Sequence, residues 1–437
     1  MFSNKTFCTL PFSSIQINTS GNFKVCCFTG EITANPAVRG GFQNTFGMTL
    51  DNEGKIMNIL THSIEEAMNS ETHKSIRLAQ SNDEKHPACN VCWVKDDGHD
   101  SSYRQIRNRH FRNRDGSINL EDAAVVMSAD GSISQLPIAL DLRFGNLCNA
   151  KCIMCGPHHS NLWYEDYGKI ERKPFFHIGA AKYTIKEENG VFKSDMNADV
   201  RWWESPIWWE QFERIKHRIR FVYITGGEPF VVPAHDEFLD RLIASGLADK
   251  VDLAYDTNLS VINPKIISRL KKFKSINISA SMDDIEDRYE LIRFPLKWER
   301  FIENCKIINK EVKIKEFKLS SVVGIFTAYA PLRFVPYFEN LGFNSMVIRT
   351  VHYPFNSDLL HLTNEQKQTV IDAYKNTNVG SYYTDFFTNY LTSTRDKQNI
   401  KQLESFVSRM DRLDKVRGTE WKATMPDVAD LMKDYIK

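Results

Sequence analysis

Six short apolar segments, Pro137 to Leu142, Phe221 to Thr225, Val251 to Tyr255, Ile276 to Ser281, Lys318 to Gly324 and Ser345 to Arg349, recur along the chain with helical patterns between them. Parallel strands need a crossover long enough to hold a helix, and each crossover lays that helix on the sheet. The alternation therefore predicts an α/β fold, a partial (β/α)6 TIM-like barrel, in which functional groups gather at the carboxyl ends of strands. At 437 residues the chain exceeds one such domain. Three parts are expected: a cysteine-anchored module over 1–132, the barrel over 133–355, and a helical extension over 356–437.

The first part mixes strand-like pieces (Ser14 to Asn18, Phe23 to Cys27) with a helical stretch from Ile64 to Ala79 and a polar loop around Cys89 and Cys92. Between the first two barrel strands lies a long segment, 160–218, rich in aromatics: Trp163, Tyr164, Trp202, Trp203, Trp208 and Trp209. A connection of that length predicts a lid or an extra helical subdomain. Trp202 to Trp209 is the candidate cover, against the plainer expectation that these rings pack a core. Beyond Pro354 the chain reads as helical, with Leu403, Phe406, Val407, Met410 and Leu413 forming a packing stripe at a helical period.

Charge narrows the function classes only a little. Lys and Arg total 56 against 55 Asp and Glu, so nothing supports a whole-chain polyanion binder, and nucleic acid is neither indicated nor excluded. No stretch approaches a membrane span, and the first residues do not resemble a secretion signal. Nine cysteines with CxxC spacings then point to metal or cluster ligation in a reducing cytoplasm rather than to disulfides.

Cys148, Cys152 and Cys155 form a CxxxCxxC array directly after the first barrel strand. Three thiolates can hold three irons of a 4Fe-4S cubane and leave the fourth iron open to a small molecule. The competing reading is a zinc site completed by His158 or His159. The position at a strand's carboxyl end favours the cluster.

With this array the chain resembles the radical S-adenosylmethionine superfamily. Further matches follow in order: Thr225, Gly226, Gly227, Glu228 and Pro229 end the second strand, Thr257 and Asn258 the third, and Ser281 and Asp283 the fourth, followed by Arg293. The resemblance implies that Gly226, Gly227 and Glu228 border the cofactor's methionine end and that Asn258, of the Thr-Asn pair, also lines the cofactor site. It further implies that Ser281 and Asp283 meet the ribose and that Arg293 reaches the methionine carboxylate, a bidentate match for a guanidinium. Two departures stand out. Met154 occupies a position often aromatic in the superfamily, where it can fill the same volume near adenine, and Asp284 stands where many relatives carry Gly.

A second set comprises Cys8, Cys26, Cys89 and Cys92. Four thiolates can close a metal site, and considered alone the set reads first as a zinc ribbon. Cys8-x-Leu-Pro-Phe, the glycine at 21 before Cys26, and CxxC followed by Ser102, Arg104 and Asn108 resemble the auxiliary-cluster modules called SPASM and Twitch, here placed before the barrel rather than after it. The resemblance implies a second 4Fe-4S cluster on these four residues. Cys27 competes with Cys26, because adjacent strand residues face opposite sides. Cys305 reads as a packing thiol.

Together the motifs imply an enzyme that reductively cleaves S-adenosylmethionine at the first cluster to a 5′-deoxyadenosyl radical, which abstracts a substrate hydrogen while the second cluster assists. A reduced flavodoxin or ferredoxin-type protein would supply the electron. The expected substrate is a peptide or protein side chain. The alternatives are radical modification or isomerisation of a nucleotide, nucleic-acid base, sugar or small metabolite, and a non-catalytic zinc-binding scaffold. No residue is singled out as a catalytic acid or base.

Overall fold

The computed structural model describes residues 2–30, 47–97, 101–171, 174–178, 181–198, 201–351, 354–377 and 379–436. The six expected segments are strands β3 (Ala139–Arg143), β7 (Phe221–Thr225), β8 (Asp252–Thr257), β9 (Ser275–Ser281), β10 (Ile314–Val323) and β11 (Ser345–Thr350). Each is paired in parallel with the next. Every consecutive pair is joined by a crossover with helix in it, so the sheet grows in chain order and curves as a partial TIM-like barrel.

The two faces of this sheet differ. In β9, Ile276, Ile278 and Ala280 are buried against the helices, while Ser275, Asn277, Ser279 and Ser281 alternate with them on the inner face and remain partly open. Register carries the polar face across the sheet, with Asp256 opposite Ser279 and Ser279 opposite Lys318. A hydrogen bond from the Tyr223 hydroxyl to Asp256 (2.5 Å) ties two inner-face side chains of neighbouring strands.

The amino-terminal part does not stand apart from the barrel. Its strands β1 (Ser14–Ile17) and β2 (Phe23–Lys24) extend the same sheet, β1 parallel to β3 and β2 antiparallel to β1. The helical stretch expected over Ile64 to Ala79 is two helices, Ile64–Met68 and Glu71–Ser81. Ser70 breaks it, taking an extended backbone and accepting the His73 N–H as a helix cap. The expected polar loop around Cys89 and Cys92 is helical instead, a 3-10 turn at Pro87–Cys89 running into helix Asn90–Asp97.

The 160–218 insertion is not an all-helical subdomain. It combines helix Trp163–Ile170, the antiparallel strands β4 (Phe175–Ile178), β5 (Ala181–Glu188) and β6 (Val191–Ser194), and helix Pro206–Ile215. Its tryptophans are core rather than cover: Trp202 stacks on Phe144 (5.5 Å) and Trp208 on Phe212 (5.7 Å), all buried. The carboxyl-terminal part is helical as expected, and the stripe of helix Ile400–Arg417 lies in a second core with Val323, Ile325 and Phe326.

Phe238 on helix Pro233–Ala244 packs against Phe144 (5.9 Å) and Phe212 (4.8 Å), joining the insertion, the helix layer and the residue that follows β3. Phe238→Ala is expected to cost about 3–5 kcal/mol through lost burial and a residual cavity, and Phe238→Leu clearly less. Chemical denaturation followed by tryptophan fluorescence measures both.

Candidate functional site

β3 ends at Arg143, and the loop that follows carries Cys148, Cys152 and Cys155 with almost no regular structure of its own. Its shape comes from groups that close on it. The Cys148 N–H donates to Asn161 Oδ1 (3.0 Å), Ser160 Oγ donates to the Ala150 carbonyl (2.6 Å), and the Trp163 indole donates to the Cys152 carbonyl (3.1 Å). Asn146 ties the near end to the Pro157 carbonyl (2.9 Å) and to the Tyr164 hydroxyl (2.7 Å).

The residues after β7 pack straight onto this loop. The Gly227 N–H donates to the Gly145 carbonyl (3.1 Å) and the Glu228 N–H to the Leu147 carbonyl (2.9 Å). Gly226 sits at φ +125°, and a β-carbon on Gly227 would run into the Leu147 carbonyl, so this approach requires glycine. Glu228 is fully buried and accepts from Thr257 Oγ1 (2.5 Å) and the Asn258 N–H (2.7 Å). Burial pushes its carboxyl up to about 7 despite those donors. Asn258 reaches back to the loop through Asn149 (2.9 Å). Thus the second and third strand ends and the cysteine loop are one hydrogen-bonded unit.

Asp283 and Arg293, expected to meet different parts of one ligand, are paired with each other at 2.6 Å in a buried setting. Asp283 also accepts the Val322 N–H (2.7 Å), and Arg293 Nη1 lies 3.9 Å from Cys152 Sγ. Two opposite charges brought out of water lose least by pairing, which accounts for the arrangement. Asp284, the other departure, is equally buried and is held by Arg333 (2.5 Å). Ser281 ends β9 on the inner face, and Met154 lies half-buried between the two hydrophobic cores.

Four further residues at the loop carry no signal in the residue order. Arg417 donates to the Lys151 carbonyl (2.7 Å) and Arg409 to the Ile153 carbonyl (3.0 Å), both from helix Ile400–Arg417. Asp166, wholly buried, receives Arg417 (2.6 Å) and Lys151 (2.5 Å). In the sequence these arginines are merely the polar face of the helix bearing the Leu403 to Leu413 stripe.

The three thiols suit a cationic cluster. Burial raises each of them, that of Cys155 to about 12, so the thiolates that ligation requires need positive charge seated among them. His158 and His159 do not complete a zinc site. Among the described residues no three His, Cys, Asp or Glu side chains converge as a single ion requires, and thiolates at a Zn–S bond of about 2.3 Å would have to meet almost at a point.

Cys8, Cys26, Cys89 and Cys92 line one cavity together with Trp93, Tyr103 and Arg104, and none is in a disulfide. The helical turn from Cys89 places Cys92 one turn on, bringing both thiols to the same side. Cys27 does not line that cavity; the strand expected over Phe23 to Cys27 ends at Lys24, so both cysteines lie in the turn that follows and strand alternation does not separate them. Arg104 donates to the Phe7 carbonyl (2.7 Å) and pairs with Asp96 (2.5 Å), and Asn108 donates to the Phe7 carbonyl (2.8 Å) and accepts the Thr9 N–H (2.9 Å). Those two side chains therefore fix the segment that presents Cys8, while Ser102 caps their helix. The two cysteine sets occupy opposite ends of the sheet, since Cys8 precedes β1, Cys26 follows the antiparallel β2, and Cys148 follows the end of β3.

Gly227→Ala is expected to displace the Leu147 carbonyl and scatter the thiols, lowering iron incorporation at the first set by at least tenfold while the second set still fills. Iron and sulfide analysis after anaerobic reconstitution reads this directly. Arg104→Met is expected to do the reverse.

The model of the radical SAM superfamily matches residues 142–326, and that of an iron-sulfur cluster-binding domain, SPASM, matches residues 8–93. No curated protein matches the chain. Among solved structures, native anSMEcpe with bound AdoMet and Cp18Cys peptide is 16% identical over 57% of this chain and 61% of its own, with a TM-score of 0.34. Streptococcus suis SuiB bound to precursor peptide SuiA is 13% identical over 77% of this chain and 66% of its own, with a TM-score of 0.35. The chain thus spans less than two thirds of the length of anSMEcpe. By its two domain matches the chain carries a SPASM/Twitch iron-sulfur cluster-binding domain followed by a radical SAM domain, which imply auxiliary iron-sulfur and a 4Fe-4S cluster with S-adenosylmethionine.

Proposed function

We propose that the protein is a radical SAM enzyme that oxidises or crosslinks a side chain of a peptide or protein. The observation that carries this reading is the division of the cysteines: three surround one loop at a strand's carboxyl end, and four line one cavity at the other end of the same sheet. Three thiolates leave one iron open to a ligand, whereas four close a cluster. In this reading Cys148, Cys152 and Cys155 hold the first cluster, and Cys8, Cys26, Cys89 and Cys92 hold the second.

When bound, the open cluster and S-adenosylmethionine supply one-electron cleavage of the sulfonium and hence a hydrogen-abstracting 5′-deoxyadenosyl radical. The chain's own residues position and shield. Backbone at Gly226 and Gly227 brings the strand end close to the loop, and Glu228 and Asn258 stand ready to meet an ammonium. Ser281 offers a hydroxyl partner and Met154 apolar volume for the nucleobase, while Asp283 and Arg293, paired with each other here, are the groups that would turn to a hydroxyl and a carboxylate. The helix layer and the buried tryptophans keep water from the outer face.

The peptide reading rests on the pairing of the two domains and on the inner face. There Asp141, Asp256, Asn277, Ser279, Lys318 and Ser320 alternate donors and acceptors of both signs, which suits main-chain amides and charged side chains. A reduced flavodoxin or ferredoxin-type protein would deliver the electron, and a reducing cytoplasm fits nine free thiols. Among the described residues no helix is long and apolar enough to cross a membrane.

Anaerobic purification followed by iron, sulfide and zinc analysis should give about eight irons per chain for two cubanes. Zinc without sulfide would overturn the reading. Cys148→Ala should abolish formation of 5′-deoxyadenosine, whereas Cys89→Ala should leave the first cluster assembled and impair turnover. Deuterium transfer into 5′-deoxyadenosine from labelled peptides, and not from nucleosides or sugars, is the expected substrate result.

A further inference from the structure

The residues on either side of Cys152 are held twice over. The N–H groups of Lys151 and Ile153 donate to the carbonyls of Phe294 (2.7 Å) and Ile292 (2.8 Å), the residues flanking Arg293. Their carbonyls in turn accept from Arg417 (2.7 Å) and Arg409 (3.0 Å). Arg417 is 1% exposed and lies over the Trp163 ring at 4.8 Å and the Phe294 ring at 5.4 Å, so its cation is seated in an apolar wall. Arg409 also lies over Trp163, at 5.2 Å.

The charges around this wall do not cancel. Asp166, with no exposure, is the shared partner of Arg417 and Lys151, so two cations share one buried carboxylate, while Asp414 on the same helix acts on Arg417 only from farther off and is engaged by Thr419 and the Trp421 N–H. Glu165 lies 3.7 Å from Lys151 but is half-exposed and paired with Lys169 (2.5 Å), so water screens its contribution. Arg293 is matched by Asp283. Reduction adds an electron to a cluster, and a fixed, buried cation nearby favours the added negative charge.

We propose that helix Ile400–Arg417 is a working part of the cofactor site, in which Arg417 and Arg409 clamp the backbone flanking Cys152 and the uncancelled charge of Arg417 makes the open-site cluster easier to reduce. This inference rests on the assignment of the first cluster to Cys148, Cys152 and Cys155. Arg417 and Arg409 are positioning residues, acting through the loop and the local field without touching substrate. The carboxyl-terminal extension accordingly tunes when the electron is accepted, beyond completing the fold.

The test is an anaerobic redox titration of the reconstituted full-length protein, reading the EPR signal that S-adenosylmethionine perturbs. Arg417→Met is expected to shift the one-electron reduction equilibrium about tenfold toward the oxidised cluster, roughly 59 mV. Arg417→Lys should stay near wild type, and Asp166→Asn should shift the equilibrium in the opposite direction. A merely structural role would lower cluster content in all three without opposite shifts. If Arg417→Met fails to assemble iron, Lys151→Met and Asp166→Asn carry the test, with shifts of opposite sign expected. Unchanged potentials, or shifts of one sign, overturn the proposal. A wild-type protein that assembles no cluster, or whose EPR signal ignores S-adenosylmethionine, overturns the functional reading instead.

Discussion

The cysteine loop cannot hold its own shape, and the rest of the structure supplies it. Three thiols can share one cluster only if the backbone between them lies in fixed places, yet the loop has no ladder to fix it. The places are set by carbonyls and N–H groups that pair with other elements: Gly145 and Leu147 with the β7 end, Lys151 and Ile153 with Ile292 and Phe294, and the same two residues with Arg417 and Arg409. Removing one partner of the buried Asp166, Arg417 and Lys151 group leaves an uncompensated charge, at a cost of about 3–5 kcal/mol. The scaffold is therefore paid for where the chemistry needs precision.

This dependence explains why such distant parts of the chain share one core. β1 continues the barrel sheet beside β3, so the module that presents Cys8 and Cys26 is registered against the strand that presents Cys148. The insertion, which lies between β3 and β7 in sequence, wraps its tryptophans beneath Phe144 and reaches the loop through Trp163 and Tyr164. The two cysteine sets then lie at opposite strand ends of one sheet whose inner face is polar.

Much of this was legible in the residue order, because the relevant signals are local. Alternating apolar strands, a CxxxCxxC array and two glycines at a strand end each report on a few neighbouring residues, and parallel pairing in chain order follows from handed crossovers. The less legible parts share one cause. The helical break at Ser70, the helical CxxC and the small antiparallel sheet within 160–218 are decided by caps and packing partners outside the local window. The Trp202 to Trp209 run reads equally as cover or core until Phe144, Phe212 and Phe238 are in place around it.

By itself the sequence determined the α/β alternation, the two cysteine sets and the strand-end motifs, since spacing along the chain suffices to specify each. Only the tertiary structure placed Cys26 rather than Cys27 in the cavity with Cys8, Cys89 and Cys92, because the turn after β2 allows either until the helix bearing Cys92 packs beside it. Only it paired Asp283 with Arg293, since burial makes two separate charges costlier than one ion pair. And only it brought Arg417, more than two hundred and fifty residues away in sequence, onto the backbone beside Cys152, through long-range packing that no local pattern encodes.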